Sequence, residues 1–385
     1  MEDDALYAFL TAFAVSTLLT PLVARLARRV GAVDPLRDRG LAREATPLLG
    51  GLAMLVGVLA ASALFLPQRS ELQAVLVAAI LLTLTGAVDD VREMSPVIKL
   101  FGQLVAALIV VREGIVVENF TLPFLGRVAL GDFAEPVTIV GLVAVINAVN
   151  FSDGVDGLAA GVCAISGAAF AVIAFDLGKD AAGVLAAVTC GAALGFLVHN
   201  FHPASVFMGD AGSNLLGLLL GCVIVEGSLK TNAVLALVIP LVILAVPFLD
   251  TGFVLAKRMK YHRPVYLADA NHFHHRFARI GFSQRRTVLY LYGWTFTMAA
   301  VAVALRFVPY SDDRGNFDLE WSIVMGALIV LALLASVYLV YVLEILKLRR
   351  FREREARGAD PDVPPEAVDD LVRRDLETGE FPALR

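Results

Sequence analysis

Two asparagines and two aspartates recur at intervals of three in NAVNFSDGVDGLAAG (147–161), between two apolar runs. On a helix or its frayed end, Asn147, Asn150, Asp153 and Asp156 line one side and offer amide and carboxylate groups to a hydroxyl- or amide-bearing ligand. A glycine-broken turn with Asx capping accounts for one such aspartate, not for all four residues. The spacing also lacks the alternating acids and closing Glu of a calcium loop. Three further polar clusters stand at the ends of apolar runs: Asp89 and Asp90 in GAVDDVREMSPVIKLFGQ, Asn200 and Asp210 in HNFHPASVFMGDAGS, and His272, His274 and His275 in DANHFHHRF.

Each cluster has a chemistry. The Asp89/Asp90 pair reads equally as a hydrated helix boundary and as a functional acid pair. GDAGS before an apolar run places backbone N–H groups at a helix N-terminus beside a carboxylate, which suits a metal ion carrying a phosphate. The histidines read as contacts to substrate phosphates, as part of a solvated basic loop, or as a zinc site. Zinc is disfavoured because adjacent histidines rarely face one metal, and no cysteine lies nearby. Arg263, Arg276 and Arg279 reinforce an anion-binding surface there. Acids for a hard cation, amides for a polar ligand and bases for phosphates together describe a phosphoryl-transfer site. The lack of a Walker A or kinase glycine loop argues against an ATP-driven pump.

The elements that must position these residues are membrane helices. Of 385 residues 58% are hydrophobic and 18% charged, and the mean hydropathy of +0.74 is far above that of a soluble protein. The expectation is an all-α polytopic membrane protein with about eleven spans, or ten. They centre on 5–24, 48–66, 74–88, 97–112, 137–152, 157–175, 181–199, 213–229, 233–256, 288–308 and 321–346. The first reads as a retained helix, since acid precedes it and no cleavage signature follows. One set of loops carries 25 of the 32 basic residues, so that side is cytoplasmic, with the N-terminus outside and the C-terminus inside. All four polar clusters then open to the cytoplasm. Residues 1–347 form the membrane domain and 348–385 a charged tail that begins as a short helical extension; 114–136 should hold a small hairpin. Cys163, Cys190 and Cys222 read as buried apolar side chains. An ion-coupled transporter is the rival class, but it would put acids near the midplane, where only Glu226 and Asp250 fall.

The motifs DD followed by SPVIKLFGQ, then NAVNFSDGVDGLAAG, NFHPASVFMGDAGS and PVYLADANHFHHRF resemble, in that order, the signatures of the polyprenyl-phosphate N-acetylhexosamine-1-phosphate transferases. The resemblance covers roughly 46–280. It implies transfer of a sugar-1-phosphate from a UDP-sugar to a membrane polyprenyl phosphate, with UMP released and Mg2+ or Mn2+ required, in the cell membrane. It further implies Asp210 as main metal ligand, with Asp89 and Asp90 beside the lipid phosphate and the metal. Asn147, Asn150, Asp153 and Asp156 would shape the nucleotide site, Asn200 and Phe207 would lie near the uracil, and Lys99 would meet phosphate. His272, as a catalytic group, and His274, His275 and Arg276 would serve the diphosphate or sugar side. REATPLLGG resembles the segment before the second span, with Arg43 its one basic residue. The His-x-His-His pattern is similar to the UDP-GlcNAc (WecA/TagO-like) branch; the phospho-MurNAc-pentapeptide (MraY-like) branch is the alternative. A homodimer is compatible with this reading, and no nucleic-acid partner is expected. The chemistry favours direct attack, because a lipid phosphate with a second pKa near 6 is largely a dianion at pH 7. Asp89 would orient it or take a residual proton; a covalent aspartyl intermediate is the alternative.

Overall fold

The computed structural model describes residues 2–34, 45–122, 126–228, 284–307 and 318–359, with a few single positions beyond them. In hydrocarbon, backbone groups need partners within their own segment, so apolar runs of this length become helices. α1 is Glu2–Val30, α2 Gly50–Phe65, α3 Ser70–Val91, α4 Pro96–Arg112, α5 Ala134–Ser152, α6 Leu158–Asp176, α7 Asp180–Asn200, α8 Gly209–Ser228, α9 Gln284–Phe307 and α10 Leu319–Ala359. Among the described residues seven of these, α1, α3 and α5 to α9, are long and apolar enough to cross a membrane, and α2 is a shorter apolar helix. The fold is therefore that of an all-α membrane protein. Large apolar side chains such as Leu18, Leu64, Val97, Phe101, Val140 and Phe296 are exposed, as a surface facing lipid requires. The expected span at 233–256 lies outside the described residues.

The chain divides into two compact units, 1–267 with 288–308, and 268–287 with 309–385. In the second, α10 runs unbroken past Leu348 to Ala359, so the helical extension expected there is present. In the first, the expected hairpin forms: β1 (Asn119–Leu122) pairs antiparallel with β2 (Gly126–Ala129).

Within the first unit α8 packs against α2, α3, α5, α6 and α7. Small residues make this possible. A Cβ on Gly51 would lie 2.2 Å from the Gly212 nitrogen, and one on Gly217 would lie 2.6 Å from the Ile146 Cα. The α1–α7 seam uses the same device: Cβ atoms at Gly191 and Gly195 would each come within 2.3 Å of the carbonyl oxygens of Phe9 and Phe13, a small-xxx-small approach. Pro21 lies inside α1 and has no N–H for the Thr17 carbonyl one turn back. The His199 ring of α7 fills that vacancy, its Nε2 donating to Thr17 O at 3.0 Å. α9 meets both ends of α6, with Tyr292 in its third turn bonded to Gly157 just before α6 and Arg306 near its end paired with Asp176 at 2.7 Å, so the two run parallel. Cys163, Cys190 and Cys222 are free and buried, as expected.

Candidate active site

The site forms where α3, α4, α5 and α8 begin or end together. Gly86 sets the approach of α3 to α8, since a Cβ there would lie 2.5 Å from the Ala211 nitrogen. One turn further, Asp90 reaches the start of α8: its Oδ1 accepts the Asp210 N–H at 2.7 Å and its Oδ2 the Ala211 N–H at 3.2 Å. A carboxylate supplied by another helix thus satisfies the unpaired N–H groups of this N-terminus and complements its dipole. Gly209 precedes it at φ +67, and a Cβ there would lie 2.2 Å from Asp90 Oδ2. The turn is stitched to TPLLGG by Phe207 N to Pro47 O (2.9 Å), Gly50 N to Phe207 O (3.0 Å) and Gly51 N to Met208 O (3.0 Å). Arg43 lies outside the described residues.

Asp89 and Asp90 are neighbours with different tasks. Asp89 Oδ1 accepts the Met94 N–H at 2.7 Å, folding DDVREM back on itself. Its Oδ2 lies 2.5 Å from Lys99 Nζ, which also donates to Asp210 Oδ2 at 2.8 Å. Lys99 comes from the first turn of α4, which starts at Pro96, where a missing N–H costs nothing. Asn150 donates to the other Asp210 oxygen at 3.0 Å and to Ser213 Oγ at 2.8 Å. Asp89, Lys99, Asp210 and Asn150 therefore form one hydrogen-bonded group.

A second group joins the loop after α5 to the loop after α7. Asp156 Oδ2 accepts from His202 Nδ1 at 2.8 Å and from the Ala204 N–H at 3.1 Å. Asn200, 2% exposed, accepts the Gly157 N–H at 2.9 Å and donates to Val206 O at 2.9 Å. From α9, the Tyr292 hydroxyl donates to the Gly157 carbonyl at 2.5 Å. Gly157 sits at φ +80, and the Tyr292 ring fills the space beside Gly161. Phe207 is half-buried, its backbone bonded to Pro47 and Gly50. Asp153 follows α5, three residues along the chain from both Asn150 and Asp156. Burial first, then the charges of Asp210, Asp90 and Asp156, hold its carboxyl well above the ordinary carboxylate range.

Of the residues singled out in the sequence, Asp89, Lys99, Asn150 and Asp210 come together, as do Asp156 and Asn200. Asn147 donates to Gln103 and Val143 instead, one turn deeper. His272, His274, His275 and Arg276 lie outside the described residues. His202 and Tyr292 carried no distinguishing sequence signal: one is a histidine in a Pro-containing loop, the other an aromatic in an apolar helix.

Among the described residues no three acid, histidine or cysteine side chains converge closely enough to hold a metal alone. Asp210, with one carboxylate beside a lysine and an amide, fits instead an ion of the Mg2+ type, which takes one or two protein carboxylates and completes its shell with phosphates and water.

Fold and site thus define a polytopic membrane protein with an acid–amide–lysine centre at the ends of its helices. The chain belongs to glycosyl transferase family 4: the family model matches residues 72–228, and relatives extend the match over most of the chain. A Bacillus subtilis (strain 168) protein named "Probable undecaprenyl-phosphate N-acetylglucosaminyl 1-phosphate transferase" is 37% identical, covering 79% of this chain and 87% of its own. A decaprenyl-phosphate N-acetylglucosaminephosphotransferase of Mycolicibacterium smegmatis is 36% identical over 85% and 86%. A phospho-N-acetylmuramoyl-pentapeptide-transferase of Halalkalibacterium halodurans is 30% identical over 78% and 98%.

Proposed function

We propose that the protein transfers GlcNAc-1-phosphate from UDP-GlcNAc to a polyprenyl phosphate, undecaprenyl phosphate in the first instance, and releases UMP. The observation that carries this reading is the Lys99 ammonium bridging Asp89 and Asp210 within a chain that is 37% identical over 313 residues to a relative named for that reaction. We place the site on the cytoplasmic side of the cell membrane, with eleven spans and the N-terminus outside, on the asymmetry of Lys and Arg.

The acceptor phosphate is largely a dianion at pH 7, so the site must neutralise charge more than remove a proton. Lys99 supplies one positive charge at the point where Asp89 and Asp210 hold it, and Asp89 orients that ammonium. Asp90 fixes the start of α8, and with it Asp210. Asp156, Asn200 and Gly157 hold the loop that would receive the nucleotide, and His272, His274, His275 and Arg276 would serve the diphosphate. Mg2+ or Mn2+ at Asp210 would add charge neutralisation for the transferring phosphoryl group.

Purified protein given undecaprenyl phosphate, Mg2+ and radiolabelled UDP-GlcNAc should form extractable lipid-linked sugar and release UMP. It should ignore UDP-MurNAc-pentapeptide, because sites built from polar contacts discriminate by several orders of magnitude. If the pentapeptide donor is the better substrate, the donor assignment is wrong while the reaction class stands.

A further inference from the structure

Beneath the Lys99–Asp210–Asn150 group lies a second polar layer that the proposed reaction does not use. Three helices contribute one residue to each layer. α4 gives Lys99 and, four residues on, Gln103; α8 gives Asp210 and, four residues on, Asn214; α5 gives Asn150 and, three residues back, Asn147. These spacings put the second residue of each pair one turn deeper on the same face. The lower three are joined in sequence: Asn147 Nδ2 donates to Gln103 Oε1 at 2.7 Å, and Gln103 Nε2 donates to Asn214 Oδ1 at 3.3 Å. Asn147 Nδ2 also donates to Val143 O at 2.8 Å, which fixes its orientation. Gln103 and Asn214 are 4% and 5% exposed.

Such amides are not needed to fill space, since apolar side chains of equal volume would pack between helices at no desolvation cost. What a hydrogen-bonded chain adds is a defined rotation and depth for each helix, because amides have directions and apolar groups do not. In α4 and α8 that rotation also aims the residue one turn above, Lys99 or Asp210. We infer that Gln103, Asn147 and Asn214 form a positioning layer for sugar-phosphate transfer, holding α4, α5 and α8 in the register that keeps the Lys99 ammonium on Asp210 and Asn150 on its other oxygen. The inference rests on the function proposed above. It assigns Asn147 to the scaffold beneath the site rather than to the nucleotide.

The test uses the full-length protein in nanodiscs, with radiolabelled UDP-GlcNAc and undecaprenyl phosphate. Gln103→Met keeps side-chain length and helix propensity but breaks both bonds. It should lower kcat by about tenfold to a hundredfold, the scale of a displacement near 1 Å at a reacting centre. KM for UDP-GlcNAc should stay within about twofold of wild type, because the loops holding Asp156 and Asn200 are untouched. Asn214→Leu should act alike. The double variant should be no slower than the worse single, since both remove the Gln103–Asn214 bond and coupled residues are not additive. If Gln103→Met fails to insert, Gln103→Asn, which shortens the amide by one methylene, carries the same expectation. A kcat within about twofold of wild type in the single variants would overturn the inference. So would single losses that multiply in the double, or losses that match the unfolded fraction in a thermal melt. Wild-type protein that transfers no sugar phosphate would overturn the proposed function, and the inference with it.

Discussion

Lys99 has two carboxylate partners, and both lose their counter-ion when it is removed. Lys99→Met should lower turnover at least about a hundredfold, the cost of deleting one electrostatic contact at a reacting centre. Lys99→Arg should not restore it, because a planar guanidinium does not replace a compact ammonium between two acids. Asp210→Asn should cost as much while the protein still inserts; near-normal transfer at limiting Mg2+ would rule out its role. Asp153 allows a prediction about pH. Its folded-state pKa is raised above the unfolded value of 3.8, so the stability it contributes is full below that value and is lost as pH rises through the raised one. In chelator-containing detergent, the melting temperature of wild type should therefore fall from pH 4 to pH 8 by more than that of Asp153→Asn. Equal slopes would remove Asp153 as the cause.

At the scale of elements, the junction of α3 and α8 is fixed by what is missing at Gly86 and Gly209. Gly86→Ala places a methyl group against the backbone of α8 and should cost about 1–3 kcal/mol, as overpacking does. The same shift draws Asp90 off its two N–H groups, so activity should fall further than the melting temperature alone explains. A Gly86→Ala enzyme with wild-type kcat would show that the Asp90 contact is dispensable. Much of this was legible beforehand. Apolar runs gave the described helices to within a few residues, and alternation around glycine and proline gave the hairpin. Among the described residues, the acids and amides of the short motifs include those that come together, Asp89, Asn150 and Asp210 in one group and Asp156 and Asn200 in the other. What could not be read was which atoms each would hold. DD does not show that its second acid caps α8, because that depends on the approach of a helix 120 residues away. Gln103 and Asn214 are single amides in apolar helices, a type and setting that carry no local signal until the helices are packed.

For the whole molecule, the bias of 25 basic residues against seven makes topology testable. A cysteine placed at residue 276 should react with membrane-permeant reagents alone, and one at residue 69 with impermeant ones as well. The reverse pattern would overturn both orientation and site. The three native cysteines are buried, so the background should be low. The α1–α7 seam bears on how the chain is made. Its polar contacts, Thr17 with His199 and with the Gly195 carbonyl, span 182 and 178 residues. At a synthesis rate of about 5–20 residues per second, α1 leaves the ribosome roughly 10–40 s before α7 exists. For that time the Thr17 carbonyl, deprived of its usual donor by Pro21, has no His199 to meet. If His199 is what satisfies that carbonyl in the membrane, a nascent chain arrested before residue 180 should crosslink to the insertion machinery through α1, while one arrested well beyond residue 200 should have released it.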